Sequence, residues 1–325
     1  MHRVLLSLVI CILAVSAAHS ASAELSESVI NSASISSWSE GRKSDGPDPF
    51  LIRVQVLLGR THISPGVIDG YLGDNLTKAI RTFEVREGLE GDGKIDEKFW
   101  TALAIDDAPV LKTYRISVDD LSARYVDKIP EDYAEMAKMK WLGYSGPTEM
   151  LAERFHMDQS LLELLNPGSD FESAGSTIVV ASTGSDSAEK VSRIVVDHSE
   201  GQLLAYADDR LIVAYPATVG STSNPSLSGT YKIKAVVVDP SYTYNPDENF
   251  QQGDNKKPLE IPPGPNGPVG SVWIDLSEPT YGIHGTSEPD LVGKTQSHGC
   301  VRLTNWDAQE LAGLVAVGIP VEFRE

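Results

Sequence analysis

The sequence predicts an α+β protein of several domains: a small helical bundle, a small mixed module and a mostly-β domain. Three observations carry this. The chain has 325 residues, more than twice the roughly 150 typical of one domain. Apolar residues recur at helical spacing between Phe50 and Leu103, as on the buried face of amphipathic helices. From Val191 onward they fall instead into short β-branched runs separated by turns, the signature of strands. Hydrophobic residues at 41% and charged residues at 22% exclude wholesale disorder. Lys and Arg number 27 against 46 Asp and Glu, a net charge of −19 that repels phosphates and anionic lipid head groups, so nucleic acid is excluded as a partner.

Met1 to Arg3 give a short basic start, Val4 to Ala18 is apolar, and Ala21-Ser22-Ala23 supplies small residues at a cleavage point. Residues 1–23 therefore read as a cleaved secretory signal, placing the protein outside the cytoplasm, in the periplasm or cell wall, with no integral membrane segment after cleavage. Cleavage would remove Cys11 and leave Cys300 as the one thiol, unable to form an internal disulfide. Residues 24–49, rich in Ser, Glu, Asp and Gly, read as a flexible leader. In residues 50–106, Leu51, Val54, Leu57 and Leu58 mark one helix, Leu76, Ala79, Ile80 and Phe83 a second with Asp74 at its N-cap, and Asp96 to Leu103 a third,.

Residues 107–183 are read as a linker and a module carrying Leu151, Phe155, Leu161, Leu164 and Leu165, then Asn166-Pro167-Gly168 and the strand-like Thr177 to Val180. Thr183 to Glu189 reads as a linker,. Within residues 190–325, strands are expected around Ile194 to Val196, Leu203-Leu204, Leu211 to Ala214, Tyr231 to Val238, Val272 to Ile274 and Val321 to Phe323. Asp239 to Gly270 contains seven prolines, too many for a sheet strand, and reads as a long excursion.

The chemistry concentrates in Gly282-Ile283-His284-Gly285-Thr286 and Ser297-His298-Gly299-Cys300-Val301-Arg302-Leu303. A cysteine is nucleophilic as its thiolate, so a base must take the proton, and His284 is the candidate. With the chain strongly acidic, activation has to be local, from an imidazolium at His284 and the guanidinium of Arg302. Gly299 leaves the approach to the sulfur open, and the Gly299 and Cys300 amides are candidate oxyanion donors. In a strand, Arg302 shares a face with Cys300, where it could clamp a substrate carboxylate. A zinc site on His284, His298 and Cys300 lacks a further ligand pair nearby. No metal or organic cofactor is expected.

These motifs resemble the catalytic motif of the bacterial L,D-transpeptidases, and the resemblance extends over Val191 to Glu325, including Tyr244-Asn245-Pro246 and Ile261 to Asn266. It implies Cys300 as nucleophile, His284 as base, and the carbonyl of Gly285 or a neighbour as the group orienting the imidazole. Ser297 and His298 belong to the motif, His298 in a mainly structural role; Tyr244 and Asn245 fall on the substrate side with Arg302. Sortases space these residues differently, and papain-like wall endopeptidases place Cys before His. Val67 to Asn75 with Ala79, Phe83 and Gly88 resembles the three-helix peptidoglycan-binding domain, and Pro147 to Ser182 a degenerate LysM repeat. The implied reaction is attack of Cys300 on a peptidoglycan tetrapeptide stem, release of D-Ala, and transfer of the acyl group to an amine, giving cross-links or attachment of an envelope lipoprotein. The implied partners are stem peptides and glycan, and carbapenems would acylate Cys300. The alternatives are an L,D-carboxypeptidase, with water as acceptor, and a non-catalytic wall-binding protein.

Overall fold

The computed structural model describes residues 25–39, 41, 46–220, 227–248, 250–297 and 299–325; the expected signal segment and His298 lie outside them. The expectation of an unstructured leader is corrected over its middle. Ser26 Oγ accepts from Val29 N and starts α1, Glu27–Ser32. Ile30 is wholly buried in the core shared with the next helix, and Trp38 packs against Phe50 at 6.0 Å. A few apolar residues, Ile30 and Ala33 in the core with Leu25, Ile35 and Trp38 against it, hold this short polar segment once a tertiary surface is there to receive them,.

The three expected helices are present. In α2, Pro49–Arg60, the Asp48 carboxylate accepts from Phe50 N at 2.8 Å and Pro49 occupies the first turn, where its missing N–H costs nothing. α3, Asp74–Arg86, is capped by Gly73, so Asp74 is its first helical residue, with its carboxylate toward the positive end of the dipole. α4, Glu97–Leu103, starts from Asp96, whose side chain accepts from Phe99 N at 2.8 Å. Phe83 and Phe99 meet edge to face at 5.6 Å inside this bundle.

Beyond the bundle, β1 (Leu111–Arg115) pairs antiparallel with β2 (Thr177–Ala181), Leu111 opposite Ala181. Between them come α5 (Val118–Leu121), α6 (Tyr133–Met136), α7 (Pro147–Arg154) and α8 (Gln159–Leu165). The Asn166 side chain ties α8 to β2, donating to Val179 O at 2.8 Å and accepting from Val179 N at 2.6 Å. Bundle and mixed module share one continuous hydrophobic core rather than two.

The C-terminal half is an eight-stranded mixed sheet in the order β11-β10-β9-β6-β12-β3-β4-β5. Its strands are β3 (Arg193–Asp197), β4 (Gln202–Ala207), β5 (Arg210–Pro216), β6 (Gly229–Val238), β9 (Val272–Leu276), β10 (Gly282–His284), β11 (Val301–Arg302) and β12 (Pro320–Arg324), with α9 (Asn305–Leu314) between β11 and β12. The sheet curls until its ends meet: just past β5, Thr218 exchanges two 2.9 Å backbone hydrogen bonds with Arg302 on β11. The outer edge of β5 is covered as well, by Ile63 bridging to Ala214 and by Ser64 N donating to Ala214 O at 2.8 Å, so the upstream region closes an edge that would otherwise invite pairing.

The proline-rich excursion folds back as a small hairpin of β7 (Tyr242–Tyr244) and β8 (Leu259–Ile261). It is clasped by the stretch around α6. Leu142 N donates to Pro263 O at 2.8 Å, Asn266 N to Leu142 O at 2.9 Å, and Asn255 Nδ2 to Asp132 Oδ2 at 3.0 Å. Met136, Leu142, Tyr244 and Ile261 bury together as a separate small core.

Candidate active site

Strand register assembles the site. β10 and β11 run parallel with His284 opposite Arg302, and β9 runs antiparallel with Trp273 opposite His284. Paired residues share a face and residues two apart along a strand return to it, so Trp273, His284 and Arg302 stand on one side, with Cys300 two residues before Arg302. On the other side Ile274, Ile283 and Val301 are buried in the sheet core. A face of chemistry is thus backed by a face of packing at the seam where the curled sheet closes.

His284 is 4% exposed and stacks on the Trp273 indole at 5.5 Å. Its Nδ1 lies 2.6 Å from Gly285 O; a carbonyl only accepts, so Nδ1 carries the proton and Nε2 is left with its lone pair. Burial, followed by the Arg302 charge, pulls its pKa down to about 4, against which the Gly285 carbonyl works in the other direction. The imidazole is therefore neutral at pH 7, not the imidazolium that the acidic composition suggested as the local activator. The Cys300 thiol is pushed above its ordinary value by burial, with the Gly282 N–H and the Arg302 charge pulling it back; its Sγ lies 3.6 Å from Thr280 O. The resting groups are a neutral thiol and a neutral imidazole, and among the described residues Arg302 is the cation acting on both.

Gly299 adopts φ +118°, and a Cβ there would lie 2.8 Å from the Tyr281 ring, so glycine alone makes this turn without strain. Its amide, expected to face an oxyanion, instead donates to Ser297 Oγ at 3.1 Å, while Ser297 Oγ donates to Cys300 O at 2.6 Å. Ser297, 3% exposed, thus shapes the turn that presents the cysteine.

The substrate-side expectation needs correction for Tyr244. It is wholly buried, its hydroxyl donating to Asn255 O at 3.1 Å and accepting from Gln252 N at 2.9 Å, and so belongs to the core of the excursion. Tyr242, two residues earlier and partly exposed, is the tyrosine near the sulfur: burial, then Tyr133 and Cys300, raise its pKa. Tyr133, from α6 in the upstream region, meets Tyr242 at 6.0 Å and Tyr244 at 5.2 Å, both edge to face, and feels the Arg302 charge. Asn245 accepts from Asp247 N at 3.2 Å in the turn after β7.

Sequence reasoning missed Trp273, Tyr133 and Tyr242, and also Asn305. The Asn305 Oδ1 accepts from Ser271 N at 3.0 Å, and its Nδ2 donates to Pro265 O at 3.2 Å and to Glu153 Oε2 at 3.0 Å. For Trp273 the register would have sufficed had β10 been recognised as its partner strand; the others arrive from distant segments and leave no local signal.

Residues 191–323 match the model of the L,D-transpeptidase catalytic domain (YkuD), and residues 49–103 that of a "Putative peptidoglycan binding domain". The "Putative L,D-transpeptidase YkuD" of Bacillus licheniformis is 31% identical over 175 residues, 53% of this chain and 90% of that protein. The "Probable L,D-transpeptidase YbiS" of Escherichia coli K12 is 28% identical over 187 residues, 56% of this chain and 61% of that one. Among solved structures, an L,D-transpeptidase from Mycobacterium smegmatis aligns over 48% of this chain and 76% of its own at 14% identity and a TM-score of 0.35. The ertapenem-acylated catalytic domain of an Enterococcus faecium L,D-transpeptidase aligns over 42% of this chain and 98% of its own at 24% identity and a TM-score of 0.33. With a relative 31% identical and matched over 90% of its length, the chain belongs to the YkuD family of L,D-transpeptidases.

Proposed function

We propose that the protein is an exported peptidoglycan L,D-transpeptidase in which Cys300 is the nucleophile and His284 the general base. The observation that carries this reading is the 2.6 Å contact from His284 Nδ1 to Gly285 O, which leaves Nε2 as a base, with Arg302 paired opposite His284 and its charge acting on both His284 and Cys300. Because thiol and imidazole are both neutral at rest, the proton leaves Sγ for Nε2 as the sulfur attacks, rather than beforehand. Sγ bonds to the carbonyl carbon of the third residue of a tetrapeptide stem. The tetrahedral intermediate then expels the amine of the terminal D-Ala, which takes the proton back from the imidazolium, and a thioester remains. An incoming amine repeats the sequence in reverse and frees the thiol.

Arg302 lowers the cost of the thiolate and keeps the imidazole unprotonated, so one cation prepares both partners; it also suits the free carboxylate of the departing D-Ala. Ser297 and Gly299 shape the turn around the nucleophile, and the Cys300 amide is the candidate oxyanion donor. The upstream helical bundle, by its family match, is read as the wall-binding element. With α5 and α6 taken as an insertion after β1, the order β1, α7, α8, β2 supports reading the mixed module as LysM-like. Tyr242, with Tyr133 across from it, is the candidate substrate-side aromatic in place of Tyr244.

The same thiol would open the strained amide of a carbapenem. The test of the function is product analysis with a disaccharide-tetrapeptide and a second stem as acceptor. D-Ala release with a cross-linked dimer supports transpeptidation, release with free tripeptide alone would assign a carboxypeptidase, and an envelope lipoprotein lysine can be offered as a third acceptor. No release of D-Ala from any donor by the folded protein would overturn the reading.

A further inference from the structure

Glu153 lies on α7, in the upstream region, yet its carboxylate is 7% exposed and meets the catalytic half of the molecule. Its Oε2 accepts from Asn305 Nδ2 at 3.0 Å and from the Tyr144 hydroxyl at 3.2 Å. Asn305, at the start of α9 and 1% exposed, uses its other amide hydrogen on Pro265 O and its oxygen on Ser271 N. That oxygen also rests directly on Gly285: a Cβ added there would lie 2.3 Å from it, and one added at Gly270 would lie 2.2 Å from it. Asn305 Oδ1 thus packs against Gly285, where only a glycine leaves room for it, and the Gly285 carbonyl is the group that fixes Nδ1 of His284. A carboxylate 131 positions earlier in the chain than the histidine is joined to it through one asparagine and one peptide.

We propose that Glu153 is a positioning residue for His284: by holding the Asn305 amide in one orientation it fixes the Gly285 carbonyl and hence the imidazole, so that docking of the upstream region completes the catalytic centre. This rests on reading His284 as the base.

An asparagine amide has two orientations that differ only in which atoms face which partner. A carboxylate accepts only, so Glu153 admits the Nδ2 end of Asn305 and rejects the oxygen; charge strengthens that preference. Burial pushes the Glu153 pKa up to about 7, so the strength of the brace changes near neutrality. The groups facing it are Glu149 and Arg154 from its own helix, Tyr144 from the segment before it, and His156 and Asp186 around a cavity of about 320 Å³ that the carboxylate lines. His156 is held at about 4 by burial and is neutral there. Asp307, on α9 near Asn305, is directed to Ser64 instead.

The full chain tests this with Glu153→Ala, Glu153→Gln and His284→Ala. Turnover of a disaccharide-tetrapeptide would be followed from pH 5.5 to 8.5, together with the Nδ1–H resonance of His284 in protein labelled with 15N-histidine. Glu153→Ala is expected to lower kcat about tenfold with KM changed less than about twofold, as a misplaced base would. Glu153→Gln still offers an acceptor oxygen to Asn305 and should keep most of kcat, but the shift of the Nδ1–H resonance around pH 7 should vanish. Wild-type kcat in folded Glu153→Ala, or the same resonance shift in Glu153→Gln as in the wild type, would overturn the proposal. If Glu153→Ala does not fold, the Glu153→Gln resonance decides alone. Full turnover in His284→Ala would instead refute the assignment of the base, an outcome separate from either Glu153 result.

Discussion

Two buried clusters of titratable groups lie on opposite sides of the Gly285 peptide, and they solve the cost of burial differently. On the β10–β11 edge, burial drives His284 and Cys300 toward their neutral forms, and a cation, Arg302, biases both. Where α9 meets the upstream region, burial drives two acids the same way, Glu153 to about 7 and Asp307 to about 8, and the compensation comes from hydrogen bonds: Asn305 and Tyr144 on Glu153, Thr304 and Ser64 on Asp307. A field from one charge leaves the groups it acts on free to exchange a proton. Hydrogen bonds of fixed geometry hold their groups in place. The difference separates the side of the molecule where chemistry is carried from the side where it is aligned.

The sharpest way to break this comparison is to remove the base. His284→Ala should slow acylation of Cys300 by the tetrapeptide about 10²- to 10⁴-fold, the range for a lost general base, measured by single-turnover mixing; a loss under about fivefold would contradict its role.

Removing the cation has a smaller and more specific effect. Arg302→Ala should raise the pH inflection of Cys300 alkylation further above that of an ordinary thiol and slow alkylation at pH 7 about tenfold. A wild-type inflection below that of an ordinary thiol would show a preformed ion pair, contrary to the neutral pair described above. The same substitution should also let the His284 pKa rise from about 4, observable by NMR titration of the ring.

Asp307, unlike Glu153, acts on stability alone. Asp307 has a folded pKa of about 8, above its unfolded value of 3.8, so the native state binds the extra proton and stability falls as pH rises between the two. His284 and His156, both at about 4 against 6.5 unfolded, act oppositely and only below 6.5. Between pH 7 and 8, where the histidines have largely finished titrating and Glu153 is past its midpoint, the wild type should lose clearly more stability than Asp307→Asn, as read by urea midpoints at the two pH values,. Parallel curves for the two proteins would contradict the assignment.

The two clusters also differ in how far they could be read from the sequence. His284, Gly299, Cys300 and Arg302 lie within one short window, and the chemistry of a thiol needing a base singles them out without any fold. The strands that carry them were not legible. With three and two residues, β10 and β11 are too short for periodicity to register,, whereas the long runs of β5, β6 and β9 showed themselves. Glu153 and Asn305 are ordinary polar residues on helices until the halves dock, and Tyr133 reaches the excursion only because residues 116–146 are inserted between β1 and α7. Tyr244 misled for a related reason: a motif places a residue along the chain, and only the hairpin decides which tyrosine is buried. The charge balance misled about His284, because net charge describes the surface while desolvation governs a ring 4% exposed,.

The central claim is that Cys300 carries the acyl group, and intact-protein mass spectrometry of the protein mixed with a disaccharide-tetrapeptide, with Cys300→Ala alongside, tests it most directly. The account predicts a mass increase equal to the donor minus alanine on the wild-type chain and none on the folded variant. An adduct of that mass on Cys300→Ala, or none on the wild type while D-Ala is released, would contradict it.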